Sequence, residues 1–173
     1  MAHSHPEGAG CAYARSLELT LLALVSIGVL LLLTLGHRPN PVDDAYITFT
    51  YAKNLASGNG LVFTPGEHTF GSTTPLYALL LALIGLVGHP LAMPAIALCV
   101  NALALIVTAF LAYRLLRLLM PEPRVAAPLT ALLLLLNPKL HAACIGGMEG
   151  PLFILLTLLA IDLAVRHRES ALM

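Results

Sequence analysis

Two adjacent carboxylates, Asp43 and Asp44, are the residues of this chain best suited to chemistry. They follow His37-Arg38-Pro39-Asn40-Pro41, which is extended because each X-Pro step disfavours helix at the preceding residue. They open a short helical pattern, with Gly58 as its stop. One role for such acids is capping: Asp43 is well placed as N-cap, and negative charge at the positive end of a helix dipole contributes about 0.3–1 kcal/mol. The other is that of a catalytic base or metal ligand at a membrane–water boundary. Adjacent helical residues point about 100° apart, so the two side chains need not touch one ligand.

A third acid, Glu149, sits in Gly146-Gly147-Met148-Glu149-Gly150, where glycines allow close backbone approach. It is either a site acid or a solvated acid at a helix start. Lys53, His68 and Lys139 could bind a phosphate, and each also suits a surface or snorkelling role. Tyr46, Phe49, Thr50 and Lys53 share one face of the helix 44–57, and Ile47, Tyr51 and Leu55 another, as in a helix at a membrane interface. Other site chemistries have no pattern here. Cys11, Cys99 and Cys144 lack metal-ligand spacing, and no zinc, P-loop or G-x-S-x-G motif occurs.

The elements that must hold these residues are apolar. Of 173 residues 58% are hydrophobic and 10% charged, against roughly 45–50% and about 25% in a soluble domain. So few charges cannot clothe a water-exposed surface, which argues against a soluble enzyme, a disordered chain or a nucleic-acid binder. The mean hydropathy of +0.88 points to an all-α polytopic membrane protein. A span needs roughly 17–25 mostly apolar residues. Residues 1–16 read as a cytoplasmic tail and 17–36 as the first transmembrane helix, retained because no small-x-small cleavage site follows it. Residues 37–90 form a loop containing a short apolar helix, 75–88, too brief to cross and read as re-entrant, with Pro75 in its first turn. Residues 91–119, 125–143 and 151–165 are the remaining spans, joined by loops 120–124 and 144–150 and followed by a tail, 166–173. Asn101 lies within the second span and should face protein, and Asp162 and Arg166 have the i, i+4 spacing of a helical ion pair.

Charge placement orients this arrangement. With four spans and the amino terminus inside, Arg15, Arg114, Arg117, Arg124, Arg166 and Arg168 are cytoplasmic, and Arg38, Lys53 and Lys139 lie outside. A five-span chain with its amino terminus outside satisfies the same rule, but needs a 14-residue span and exports Arg15. In the four-span arrangement both acidic sites share the extracytoplasmic face. Within the long loop, Leu61-Val62-Phe63 is strand-like, Thr64-Pro65-Gly66-Glu67 suits a type II turn, and His68-Thr69-Phe70 could return as a hairpin.

The run Asp43 to Glu67, beginning Asp-Asp-Ala-Tyr-Ile-Thr-Phe-Thr-Tyr-Ala-Lys-Asn, resembles the first extracytoplasmic loop of GT-C type membrane glycosyltransferases. These are the bacterial relatives of the dolichyl-phosphate-mannose protein mannosyltransferases, including mycobacterial arabinofuranosyltransferases. Gly71 to Tyr77 is similar to that family's lead into a juxtamembrane helix, and Asn137-Pro138 through Gly147-Met148-Glu149 resembles its second catalytic-face loop. The resemblance covers roughly residues 17–168. It implies transfer of a sugar from a polyprenyl-phosphate donor to an acceptor hydroxyl outside the bacterial cytoplasmic membrane. Asp43 would then be the general base, and Asp44 and Glu149 would orient donor or acceptor, or bind a divalent cation as in metal-dependent members. Tyr46, Lys53, His68 and Lys139 would contact substrate. The partners so implied are membrane lipids and the lipid-linked donor, with no nucleic acid.

Two departures qualify what the resemblance implies. Relatives often carry Arg where this chain has Thr50, removing one phosphate contact. They also have about ten or more spans, so this chain is expected to be an amino-terminal module, inactive without a carboxy-terminal half. A non-catalytic integral membrane protein, or a truncated remnant of the fold, is the alternative. A transporter fragment is disfavoured by the long outer loop and the scarcity of ionisable residues within the spans.

Overall fold

A computed structural model shows an all-helical chain and describes residues 7–67, 71–87, 92–120, 122 and 124–172. Helix α1, Glu7–Leu35, begins ahead of the expected start at Leu17. Once an apolar helix has nucleated, each flanking residue joins it at little cost, so the segment taken for a tail continues the helix. Gly36, whose N–H reaches the Leu32 carbonyl at 3.0 Å, and the two prolines beyond it stop the helix.

Helices α2, Asp43–Ala56, and α3, Pro75–Val87, follow. The loop between them folds back along one flank of α2. Asn54 donates through Nδ2 to the Val62 and Phe63 carbonyls at 2.9 and 2.8 Å, the Gly71 N–H donates to the Tyr51 hydroxyl at 2.7 Å, and the Thr48 and Thr74 hydroxyls meet at 3.0 Å. Leu61-Val62-Phe63 is therefore not a strand: its carbonyls are taken by the Asn54 side chain rather than by a second strand. The turn at Thr64-Pro65-Gly66-Glu67 forms as its residues predict, with Gly66 at φ +91° and the Glu67 N–H on the Thr64 carbonyl at 3.1 Å. The hairpin through 68–70, with His68, lies outside the described residues, as do Gly88, Pro90 and Leu91. At about 20 Å, the 13-residue α3 is shorter than a bilayer core.

Helix α4, Met93–Leu119, is the central post of the molecule. Its most apolar stretch is 56% buried, against 22% for α1 and 11% for the last helix. The expected third span, 125–143, is two helices, α5, Ala126–Leu135, and α6, Pro138–Gly146, bent by 41°. Asn137 causes the break. Its backbone is extended, its side chain accepts from the Lys139 and Leu140 N–H groups at 2.9 and 3.2 Å, and Pro138 takes the first helical position. Helix α7, Gly150–Leu172, overruns the expected 151–165 at its carboxy-terminal end.

By length and composition α1, α4 and α7 can cross a membrane, and the bent pair makes a fourth span if it counts as one. Two cores hold the helices together. Leu22, Leu33, Leu105, Tyr113, Ala131 and Leu135 join α1, α4 and α5. Ala45, Phe49, Ala52, Tyr77, Leu81 and Met93 join α2 and α3 to the start of α4.

Candidate functional site

The two acidic sites lie 106 residues apart in sequence, and backbone pairing brings their segments together. The Asn40 N–H donates to the Ile145 carbonyl and the Val42 N–H to the Gly146 carbonyl, both at 3.1 Å. The strap before α2 is thus tied to the end of α6. Pro39 and Pro41 leave alternate N–H groups of that strap free to donate, while holding it extended.

Val42, not Asp43, is the N-cap of α2, extended at φ −76° and ψ 160° and without a side-chain cap bond. The prolines hold the chain extended up to residue 41, and the bond from the Val42 N–H to the Gly146 carbonyl ties residue 42 to the end of α6. Asp43 and Asp44 occupy the first turn, both exposed, with no side-chain hydrogen bond or ion pair to another described residue. The capping role is therefore unused, and two carboxylates stand at the positive end of a helix dipole, open to a ligand.

The other wall of the site is the turn after α6. Gly147 is left-handed, φ +73°, which ends α6, and its amide hydrogen-bonds the Cys144 carbonyl at 3.3 Å. A Cβ on Gly147 would lie 2.6 Å from Phe49 Cζ and 3.4 Å from Ala45 Cβ. Only glycine lets α2 lie this close to the turn. Glu149 follows, half-buried, and its carbonyl accepts the Phe153 N–H at 2.9 Å as the first bond of α7.

Asn101 fixes this turn from beneath. It is fully buried in α4, and its Nδ2 donates to the Met148 carbonyl at 2.8 Å. The Tyr77 hydroxyl lies beside Asn101, and neither it nor the Asn101 amide oxygen completes a hydrogen bond of good geometry. Burial raises the Tyr77 hydroxyl above the usual phenol range, and the nearby Glu149 charge raises it further. Asn101 was legible as a polar residue facing protein, but its contact, 47 residues onward, was not.

The structure thus brings together Asp43, Asp44, the Glu149 turn and Tyr46, whose ring meets Phe49 edge-on at 5.9 Å. It does not gather the lysines there. Lys53 lies in the last turn of α2, roughly 15 Å along the axis from Asp43. Lys139 lies in the first turn of α6, roughly 10 Å along the axis from the end that meets α2. Thr50 donates to the Tyr46 carbonyl at 2.8 Å. Among the described residues no group of three His, Cys, Asp or Glu side chains could hold a metal ion. The site can accept a proton and position polar groups by hydrogen bonding. In the comparisons with known proteins, no family model, curated protein or solved structure matches the chain.

Proposed function

We propose that this chain is the amino-terminal membrane module of a glycosyltransferase that moves a sugar from a polyprenyl-phosphate donor to an acceptor hydroxyl, with Asp43 as general base. One observation carries the reading. Two exposed carboxylates, free of capping duty, open α2 where backbone hydrogen bonds and the Gly147 contact hold it against the Glu149 turn. A base needs an accessible carboxylate within reach of a bound hydroxyl, on rigid elements. The acceptor oxygen bonds to the anomeric carbon, the carbon–oxygen bond to the lipid phosphate breaks, and the hydroxyl proton goes to Asp43. Asp44 and Glu149 orient the sugar and acceptor by hydrogen bonding, and Tyr46 offers a ring for sugar packing. Lys53, Lys139 and His68 are proposed to serve the donor phosphate.

In this reading α1, α4, the α5–α6 pair and α7 are four spans of the bacterial cytoplasmic membrane, α3 is re-entrant, and the acids face outward. A lipid-borne donor then keeps its tail in the bilayer and presents phosphate at the level of α2. Transfer is measured with the protein as the cell makes it, reconstituted in lipid with a polyprenyl-phosphate-linked sugar. Asp43→Asn should lower turnover at least about 100-fold, the lower range for a general base. Unchanged turnover in a folded variant would remove Asp43 from the mechanism and leave the chain as a structural membrane subunit.

A further inference from the structure

The end of the bundle remote from the acids holds a cavity of about 680 Å³. Arg15 of α1, Arg114 and Arg117 of α4, Arg124 of the loop before α5, and Arg166 of α7 line it together with Glu18. Counting basic residues predicts arginines on this side of the membrane. It does not predict that four separate segments aim them into one concavity.

Four of the five guanidiniums are braced by carboxylates. Asp162, 1% exposed, is held by Arg114 and Arg166, each at 2.8 Å. Glu18 receives a hydrogen bond from the Tyr113 hydroxyl at 2.9 Å and pairs with Arg117, whose guanidinium also lies 5.5 Å from the Tyr113 ring centroid. Arg124 pairs with Glu122 at 3.0 Å. Arg15 makes no ion pair with any described residue. Among the described residues five cations thus meet three carboxylates, which leaves a positive excess. Its remaining wall is apolar, supplied by Leu19, Phe110 and Leu118.

Fixed guanidiniums present paired donors that match the oxygens of a phosphate, and a rigid fork loses little freedom on binding. Apolar wall beside a cationic floor, at the level where a bilayer meets water, matches an amphiphile. We propose that this cavity binds the phosphate of an anionic membrane phospholipid, with its glycerol and upper acyl carbons against Leu19, Phe110 and Leu118. The site is separate from the acids and stands whether or not the transfer reading does.

The test is thermal unfolding of the purified full chain in a neutral detergent, titrated with phosphatidylglycerol, phosphatidylcholine or glycerol 3-phosphate. Phosphatidylglycerol should raise the midpoint saturably, with half-saturation at least about tenfold below that of phosphatidylcholine. The double variant Arg15→Gln/Arg124→Gln removes the two arginines that do not brace Asp162 or Glu18. It should keep its lipid-free midpoint and need roughly tenfold more phosphatidylglycerol. Should that double variant fold poorly, Arg15→Gln alone should weaken the response about threefold, since Arg15 makes no ion pair with any described residue. Equal responses to the two lipids, or an unaltered response in the folded variants, would overturn the proposal. Stabilisation by glycerol 3-phosphate at the same concentration as the lipid would overturn the lipid assignment in favour of a soluble phosphate.

Discussion

At the residue scale the site depends on what its polar groups do not do. Asp43 and Asp44 do not cap α2, because the chain is still extended at Val42, whose N–H is tied to the Gly146 carbonyl, and the cap position falls to a residue without a polar side chain. Asn101, by contrast, is committed through its amide nitrogen to the part-buried Met148 carbonyl, which loses that donor when the side chain is cut back. A typical hydrogen bond of this kind contributes about 0.5–1.5 kcal/mol. Asn101→Ala should therefore lower unfolding stability in detergent by that amount, and should lower transfer more than folding, because the Glu149 turn loses its support. Tyr77→Phe provides the contrast. Its hydroxyl is buried without a well-formed hydrogen bond, so its removal should be neutral within about 0.5 kcal/mol. Unfolding midpoints of the two variants measured side by side check the pair, and a larger loss for Tyr77→Phe than for Asn101→Ala would contradict this account.

At the element scale the decisive contact is that of α2 with the α6–α7 turn. Gly147 and Gly58 separate its two components. Both have positive φ, +73° and +80°, but a Cβ at Gly58 meets nothing within 4 Å, whereas one at Gly147 runs into Phe49. Gly58→Ala should cost about 1–2 kcal/mol of backbone strain. Gly147→Ala should cost that and about 1–3 kcal/mol more for overpacking, and should abolish transfer by pushing α2 off the turn. Chemical unfolding in mixed micelles measures both, and equal losses would show that the close approach is unimportant. Much of this scale was legible in the sequence, because apolar runs, prolines and glycines act locally. The start of α3 at Pro75, the turn at Gly66 and the Asp162–Arg166 pair all stand as read. Arg114 as a second partner of Asp162, and the tie from Val42 to Gly146, were not legible, since both join segments far apart in the chain. The bend at Asn137 was present as an Asn-Pro dipeptide. The sequence alone places it within the span 125–143, near its end, because nothing local distinguishes a continuous helix from one that restarts at an angle.

At the scale of the whole molecule the chain has a polar end, a greasy waist and a second polar end. Leu21, Leu24, Leu31, Phe153, Leu159 and Leu163 stand exposed on α1 and α7, an apolar surface that water would oppose by about 25 cal/mol per Å² and that lipid accepts freely. The five arginines of the cavity gather where α1 begins and where α4 and α7 end. The acids lie where α2 and α7 begin and where α6 ends. These are opposite ends of the same bundle, so the two sites belong on opposite sides of any membrane that the long helices cross. In the proposed reading the cavity faces the cytoplasm and the acids the outside, because moving arginine-rich segments across the bilayer is costly. Asn59 and Glu122 are exposed at the two ends and make suitable reporters. In a background with Cys11, Cys99 and Cys144 replaced, a cysteine at position 59 should react in intact cells with a membrane-impermeant maleimide. A cysteine at position 122 should react only after the cells are permeabilised. The reverse pattern would turn the acids toward the cytoplasm, where an exported acceptor could not meet them, and would remove the transfer reading. Labelling of both positions from outside would place both ends of the bundle on one side and contradict the crossing itself.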